Sequence, residues 1–151
     1  MNKKIWSSKG NKGLKAIDDF LSGNDIDLDK NLFIYDIKAS IAHVNGLKDI
    51  KILSPFESRK IIKCLKELNK KFISNKFKLT NKYEDCHSAI EFYLTKELGE
   101  TGKKIHTGRS RNDQIQVALR LYAKDNLKNI NKINKRIAKT FLQYAKKYHD
   151  L

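Results

Sequence analysis

Residues 110–148 read SRNDQIQVALRLYAKDNLKNINKINKRIAKTFLQYAKKY, and this stretch decides the fold. Apolar side chains recur in it every three or four residues, and neither glycine nor proline interrupts the pattern. The stripe consists of Ile115, Leu119, Tyr122, Ile130, Ile133, Ile137, Phe141, Tyr144 and Tyr148. This periodicity predicts a single amphipathic helix of about 37 residues, which is roughly 55 Å long at 1.5 Å per residue.

A helix of this length is longer than the diameter of the domain that contains it. A compact chain of 151 residues has a diameter of roughly 40 Å. We therefore expect the helix to extend beyond its own domain, where its apolar stripe needs partners. Those partners are either a segment C-terminal to Leu151 or the same helix of other copies of the chain, and the two are not exclusive.

The remainder of the chain is also predicted to be helical. It contains one proline and seven glycines, and no segment alternates with the period of a strand. The clearest helix start is Ser54-Pro55-Phe56-Glu57, with serine as N-cap, proline at the first helical position and glutamate three residues after the cap. Further helices are predicted at 14–21, at 29–48, from Ser54 through Phe72, and at 85–98, the last stopped by Gly99 and Gly102. The fold class is therefore all-α.

The net positive charge of the chain makes nucleic acid a candidate partner. Lys and Arg number 32 against 17 Asp and Glu, which gives a formal net charge of +15. The lysines alternate with Asn and Ile along helical patterns, however, and charge that is spread in this way usually forms a solvated face. Binding of nucleic acid is thus the weaker expectation.

The two cysteines and the hydropathy of the chain indicate the cellular compartment to expect. Cys64 and Cys86 lie far apart with no Cys-x-x-Cys pair, so we predict buried thiols and neither a disulfide nor a zinc site. No run approaches the roughly 20 apolar residues that span a bilayer. We expect a cytoplasmic protein with no membrane contact, no metal and no cofactor.

The signature segment, residues 106–114 with the sequence HTGRSRNDQ, carries dense anion-binding chemistry at the predicted start of the long helix. An arginine can hold a carboxylate through two parallel charge-assisted hydrogen bonds. A helix N-terminus adds free N–H groups and a favourable dipole. By composition alone, the segment also fits an ordinary loop in which Ser or Asn caps the helix and the arginines are solvated.

The signature segment resembles, residue for residue, that of argininosuccinate lyases and the related delta-crystallins. Upstream, EDCHSAIE at 84–91 resembles the family's segment of two acidic residues, any residue, His, three residues and Glu. DIKASIAH at 36–43 resembles its Asp-Ile-x-x-Ser-x-Ala helix. Together these matches cover most of residues 20–120.

The resemblance implies a fold and a division of the chain. It implies the N-terminal helical domain of the fumarase/aspartase-type lyase superfamily, leading into the first long helix of a central helical bundle. The expected parts are a flexible segment at 1–12, the N-terminal helical domain at 13–110 and the start of a truncated bundle domain at 111–151. Because members of the family are much longer, the resemblance implies that this chain is only their N-terminal portion.

The resemblance also implies site residues. Ser110, Arg111 and Asn112 would contact the carboxylates and the amino-acid end of argininosuccinate, and Ser22 stands where the family has a substrate-contacting serine. His87 matches the histidine of the acidic segment, which implies a place near the site. No catalytic residue is expected within the chain.

The implied reaction is the reversible elimination of argininosuccinate to arginine and fumarate, in arginine biosynthesis. The acid and base of the family lie in two later segments, one with a Thr-His pair and one with a serine-containing loop followed by Met-Pro-x-Lys. Members assemble as homotetramers in which three subunits form each site. The alternative from another class is a non-catalytic structural or assembly protein of delta-crystallin type, which predicts the same long helix.

Overall fold

The computed structural model describes residues 24–80 and 82–150, and these residues form helices without any strand. The helices are α1 (Asp25–Asp29), α2 (Phe33–Asp49), α3 (Pro55–Ile73), α4 (Cys86–Leu98), α5 (Glu100–Lys103) and α6 (Arg111–Lys147), with a 3-10 turn at Lys104–His106. The prediction of an all-α fold is confirmed. The helix predicted at 14–21 and the flexible segment predicted at 1–12 lie outside the described residues.

Two helices begin where local sequence places their caps. At α3, the Ser54 hydroxyl accepts a hydrogen bond from the Glu57 N–H, and the Glu57 carboxylate accepts one from the Ser54 N–H at 2.9 Å. At α4, the Asp85 carboxylate accepts a hydrogen bond from the Ser88 N–H at 2.7 Å. Both caps satisfy N–H groups that have no partner within the helix.

The predicted start of the second helix near Asp29 is wrong, because α2 begins at Phe33. Asp29 instead ends α1, and its carboxylate accepts a hydrogen bond from the Cys86 N–H at 2.8 Å. The Leu32 N–H donates to the Asp29 carbonyl at 2.9 Å and closes a tight turn between the two helices. A long-range contact therefore overrides the continuous apolar periodicity.

The two glycines that were predicted to stop α4 have different roles. Gly99 ends the helix with a φ of +57°, as predicted. Gly102 does not stop a helix but lies inside α5, where it packs against the backbone of α4. A Cβ atom at this position would lie 2.3 Å from the Leu94 carbonyl oxygen. Gly102 thus permits a close approach of two helices.

The apolar core lies among α2, α3 and α4. Its largest fully buried side chains include Phe33, Ile37, Ile61, Leu65, Leu68, Ile90 and Leu94. From α6, the structure shows only Gln114 and Ala118 as buried residues. The first part of α6 packs on α2, whereas every residue from 127 to 150 is exposed.

The long helix is confirmed with 37 residues. Its exposed apolar side chains include Ile130, Ile133, Ile137 and Phe141, which belong to the stripe that the sequence shows. No helix in the described ranges is both long and apolar enough to cross a membrane.

The close approach at Gly102 predicts a position-specific effect of alanine. Gly102→Ala should lower the free energy of unfolding by about 1–3 kcal/mol, because the added methyl group meets rigid backbone. Gly46 is the matched control, since it lies inside α2 and nothing lies within 4 Å of an added Cβ. Gly46→Ala should raise stability by about 0.5–1 kcal/mol through helix propensity. Urea unfolding measures both, and equal effects would contradict the packing described here.

Candidate functional site

The site is built around Asp36, a fully buried residue of α2. Its carboxylate accepts hydrogen bonds from His87 Nδ1 at 2.5 Å, from Gln114 Nε2 at 2.9 Å to each oxygen, and from the Ser40 hydroxyl at 3.3 Å. These donors come from α4, from α6 and from the next turn of α2. With Arg109, these residues form what we call the Asp36 cluster.

Arg109 joins the cluster from the turn that precedes α6. Its Nη1 and Nη2 atoms donate to the Ser40 hydroxyl at 3.3 and 3.2 Å. Burial lowers the pKa of Arg109, and the nearby carboxylates of Asp36 and Glu91 act in the opposite direction. Gly108, with a φ of +70°, provides the preceding backbone turn.

Arg111 binds a different partner. Its Nη1 atom donates to both carboxylate oxygens of Asp85, at 2.6 and 2.5 Å, and to the Ser88 hydroxyl at 3.2 Å. Asp85 therefore caps α4 and holds the first turn of α6 at once. The guanidinium groups of Arg109 and Arg111 thus attach to different helices, α2 and α4.

Ser110 is the N-cap of α6. Its hydroxyl accepts a hydrogen bond from the Asp113 N–H at 3.3 Å, and Asp113 accepts one from the Ser110 N–H at 2.8 Å. Hydrogen bonds from the backbone and then the side chain of Ser110 lower the pKa of Asp113. Composition alone also allowed a loop in which Ser or Asn caps the helix, and Ser110 does cap α6.

The structure brings together three of the four predicted substrate residues. Ser110, Arg111 and Asn112 share the first turn of α6, where Ser110 and Asn112 are exposed and Arg111 is half-buried. Ser22 lies outside the described residues. His87 is only 4 % exposed and binds Asp36. The assignment of these residues to substrate contact remains a prediction.

The roles of Asp36, Ser40 and Gln114 were not predicted. Asp36 and Ser40 lie within a matched motif, but no contact was expected of them. A signal was present, since these two polar residues stand four apart on a helix face that is otherwise apolar. Buried polar groups of this kind need hydrogen-bond partners.

Two further histidines hold the start of the signature segment, His106 as its first residue and His43 from α2. His106 Nε2 lies 2.9 Å from a Glu91 carboxylate oxygen. His43 Nε2 donates to the Thr107 carbonyl at 3.0 Å. Burial, followed by the positive charge of Arg109, lowers the pKa of His43 below its ordinary value of 6.5.

Asp36, Cys86 and His87 also place possible metal ligands within 4.8 Å of one another. The Asp36 carboxylate, however, already accepts hydrogen bonds from three residues. Burial raises the pKa of Cys86, which keeps the thiol protonated and a poor ligand. A metal ion would have to displace the bond between His87 and Asp36, so the chemistry favours a hydrogen-bonded cluster.

Both cysteines are free and buried, as predicted. Burial also raises the pKa of Cys64, to about 11.

The lowered pKa of His43 predicts how stability responds to acid. The unfolded chain binds the proton near pH 6.5 while the folded chain resists it, so the free energy of unfolding should fall as pH drops from 6.5 through the folded pKa. His43→Gln keeps a donor for the Thr107 carbonyl and should remove this contribution. Urea unfolding between pH 7.5 and 5 measures the difference, and parallel pH profiles for the two proteins would refute it.

Comparison with known proteins places the chain in a family. A family model described as Lyase matches residues 21–151. The chain is 47% identical over 145 residues to an argininosuccinate lyase of Xanthomonas oryzae pv. oryzae (strain PXO99A), covering 96% of this chain and 34% of that protein.

Two other relatives carry the same name. An argininosuccinate lyase of Xylella fastidiosa (strain Temecula1 / ATCC 700964) is 46% identical over 141 residues, covering 93% of this chain and 32% of that protein. One of Stenotrophomonas maltophilia (strain R551-3) is 44% identical over 147 residues, covering 97% and 34%. The chain therefore spans about a third of the length of these curated relatives. The match over residues 21–151 shows that the chain belongs to the lyase family.

Proposed function

We propose that the chain forms one side of the substrate site of an argininosuccinate lyase. The observation that carries this proposal is the exposed first turn of α6, where the signature residues Ser110, Arg111 and Asn112 stand together. The names of the relatives support argininosuccinate as the substrate. They do not favour the structural alternative of delta-crystallin type.

The first turn of α6 suits a ligand that carries several carboxylates. The positive end of the helix dipole and the first N–H groups of the helix attract anions. Within the described residues, Arg111 makes its hydrogen bonds through Nη1 alone, and a guanidinium group has five N–H donors. Asp85 thus orients Arg111 while the remaining donors stay available to a ligand. Asn112 adds an exposed amide at the same turn.

The reaction in this proposal is an elimination. A base removes a proton from the succinyl carbon next to a carboxylate, and an acid protonates the departing guanidinium nitrogen, which gives arginine and fumarate. Donors around the carboxylate stabilise the negative charge that develops on it. The Thr-His pair and the Met-Pro-x-Lys loop are absent from the 151 residues. The chain should therefore bind substrate without turning it over by itself.

The proposal extends to assembly and biological setting. A homotetramer would bury the exposed apolar stripe of α6 between copies, and in a protein of the relatives' full length it would bring together the parts of each site from neighbouring subunits. Arginine biosynthesis in the cytoplasm is the setting that this activity implies. Binding of nucleic acid is the weaker candidate, because the lysines are spread over solvated helix faces.

Calorimetric titration of the purified chain with argininosuccinate tests the proposal. The chain should bind, and Asn112→Ala should weaken binding about tenfold, because a hydrogen bond to a charged group contributes about 1.5–3 kcal/mol. Asn134→Ala is the matched control, since Asn134 is also exposed on α6 but lies far from the signature segment. Its affinity should equal that of the parent chain.

Two results would count against the proposal. Absence of heat with the parent chain would favour a purely structural protein. Equal losses from Asn112→Ala and Asn134→Ala would remove the first turn of α6 from the site. A parallel assay of fumarate absorbance should show no turnover, and robust turnover would show that the acid and base lie within this chain.

A further inference from the structure

We propose that Asp36 is a positioning residue, which with Ser40 sets the orientation of the signature segment on α2. The carboxylate contacts no ligand in this scheme. It acts through Arg109 and Gln114, and so fixes the direction in which Arg111 and Asn112 face. This inference rests on the proposed function for its meaning, but its structural part can be tested without ligand.

The attachment points lie on both sides of the proposed substrate residues. Before them, Arg109 donates to the Ser40 hydroxyl through two nitrogens. After them, Gln114 Nε2 donates to both oxygens of Asp36 at 2.9 Å. Residues 110–112 are thus held at each end by two side chains of one helix. Ser40 and Asp36 are one turn apart on that helix and are hydrogen-bonded to each other at 3.3 Å.

The first turn of α6, residues 111–114, carries only polar side chains. Apolar contact with α2 comes farther along the helix, where Tyr122 meets Tyr35 edge-on with ring centroids 5.7 Å apart. Hydrogen bonds therefore orient the first turn itself, and Gln114, which bridges both oxygens of Asp36, supplies two of them.

Burial makes these hydrogen bonds obligatory. Asp36 is fully buried, and a buried carboxylate without donors is strongly destabilising. The hydrogen bond of 2.5 Å between Asp36 and His87 Nδ1 ties the imidazole ring to this carboxyl group. Asp36 thus also fixes the ring of His87 on α4. One side chain joins α2, α4 and α6 where they meet the signature segment.

The test first removes the carboxylate at position 36 and then introduces a carboxylate at position 114, on the opposite partner of the hydrogen bond. In Asp36→Asn, the side chain loses its charge and one of its two acceptor oxygens, so Gln114 Nε2 can no longer bridge both oxygens and the Gln114 amide must turn over to present Oε1. We expect the backbone amide signals of residues 109–114 to shift in nitrogen–proton correlation spectra, and argininosuccinate to bind about tenfold more weakly. The double variant Asp36→Asn with Gln114→Glu exchanges amide and carboxylate, and should recover the signals and most of the affinity.

Leu68→Ala is the control for a purely structural effect. Leu68 is fully buried on α3 and belongs to the apolar core. This change should reduce stability while leaving the amide signals of 109–114 and the affinity unchanged. If Asp36→Asn does not fold, Ser40→Ala takes its place, because it releases Arg109, removes one long hydrogen bond from Asp36 and should shift the same signals.

The outcomes separate the two proposals. If the parent chain does not bind argininosuccinate, the proposed function fails, while the spectra of the free proteins still decide the role of Asp36. Unchanged signals of 109–114 in Asp36→Asn or in its Ser40→Ala replacement would overturn the inference. So would a folded double variant that recovers neither signals nor affinity. Equal losses of affinity in Asp36→Asn and Leu68→Ala would show that Asp36 only stabilises the fold and does not position the signature segment.

Discussion

The buried carboxylate of Asp36 imposes the constraint on which the site depends. A charge that is removed from water must be surrounded by donors, or the folded state loses several kcal/mol. Donors arrive from His87 on α4 and from Gln114 on α6, while Ser40 lies one turn away on α2. A change in the relative orientation of the three helices would therefore break these hydrogen bonds.

Two kinds of interaction stabilise different parts of the molecule. Apolar contacts hold α2, α3 and α4 together, with side chains such as Phe33 and Leu65 fully buried. Hydrogen bonds and an ion pair hold the first turn of α6, through Gln114, which binds Asp36 of α2, and through Arg111, which binds Asp85 at the start of α4. Apolar packing is nondirectional, whereas hydrogen bonds depend on angle. Directional interactions therefore orient the first turn of α6, where a ligand would need precisely placed donors.

The features that sequence predicted well are local ones. The periodic stripe gave α6, and the Ser54 cap gave the start of α3, because both depend on residues within a few positions of each other. The misplaced start of α2 and the misread Gly102 each depend on a distant backbone group, of Cys86 and of Leu94.

The same reasoning explains what was missed in the site. The signature segment could be located because its residues are consecutive. The pairing of Asp36 with Gln114, 78 positions apart, has no local signal beyond two polar residues on a buried helix face. The link from Arg111 to Asp85 likewise spans 26 positions. Only the folded chain shows that the arginines of the segment serve two different helices.

The exposed half of α6 has a consequence for dynamics. Residues 127–147 are all helical and all exposed, and most of the stability of a protein helix comes from packing of its apolar face, which this half lacks within the described residues. Amide hydrogens in this half should exchange with solvent deuterium through local opening, while those of α3 wait for global unfolding. A protection gradient would then run along one continuous helix, and any molecule that covers the apolar stripe would be seen as slowed exchange at its far end.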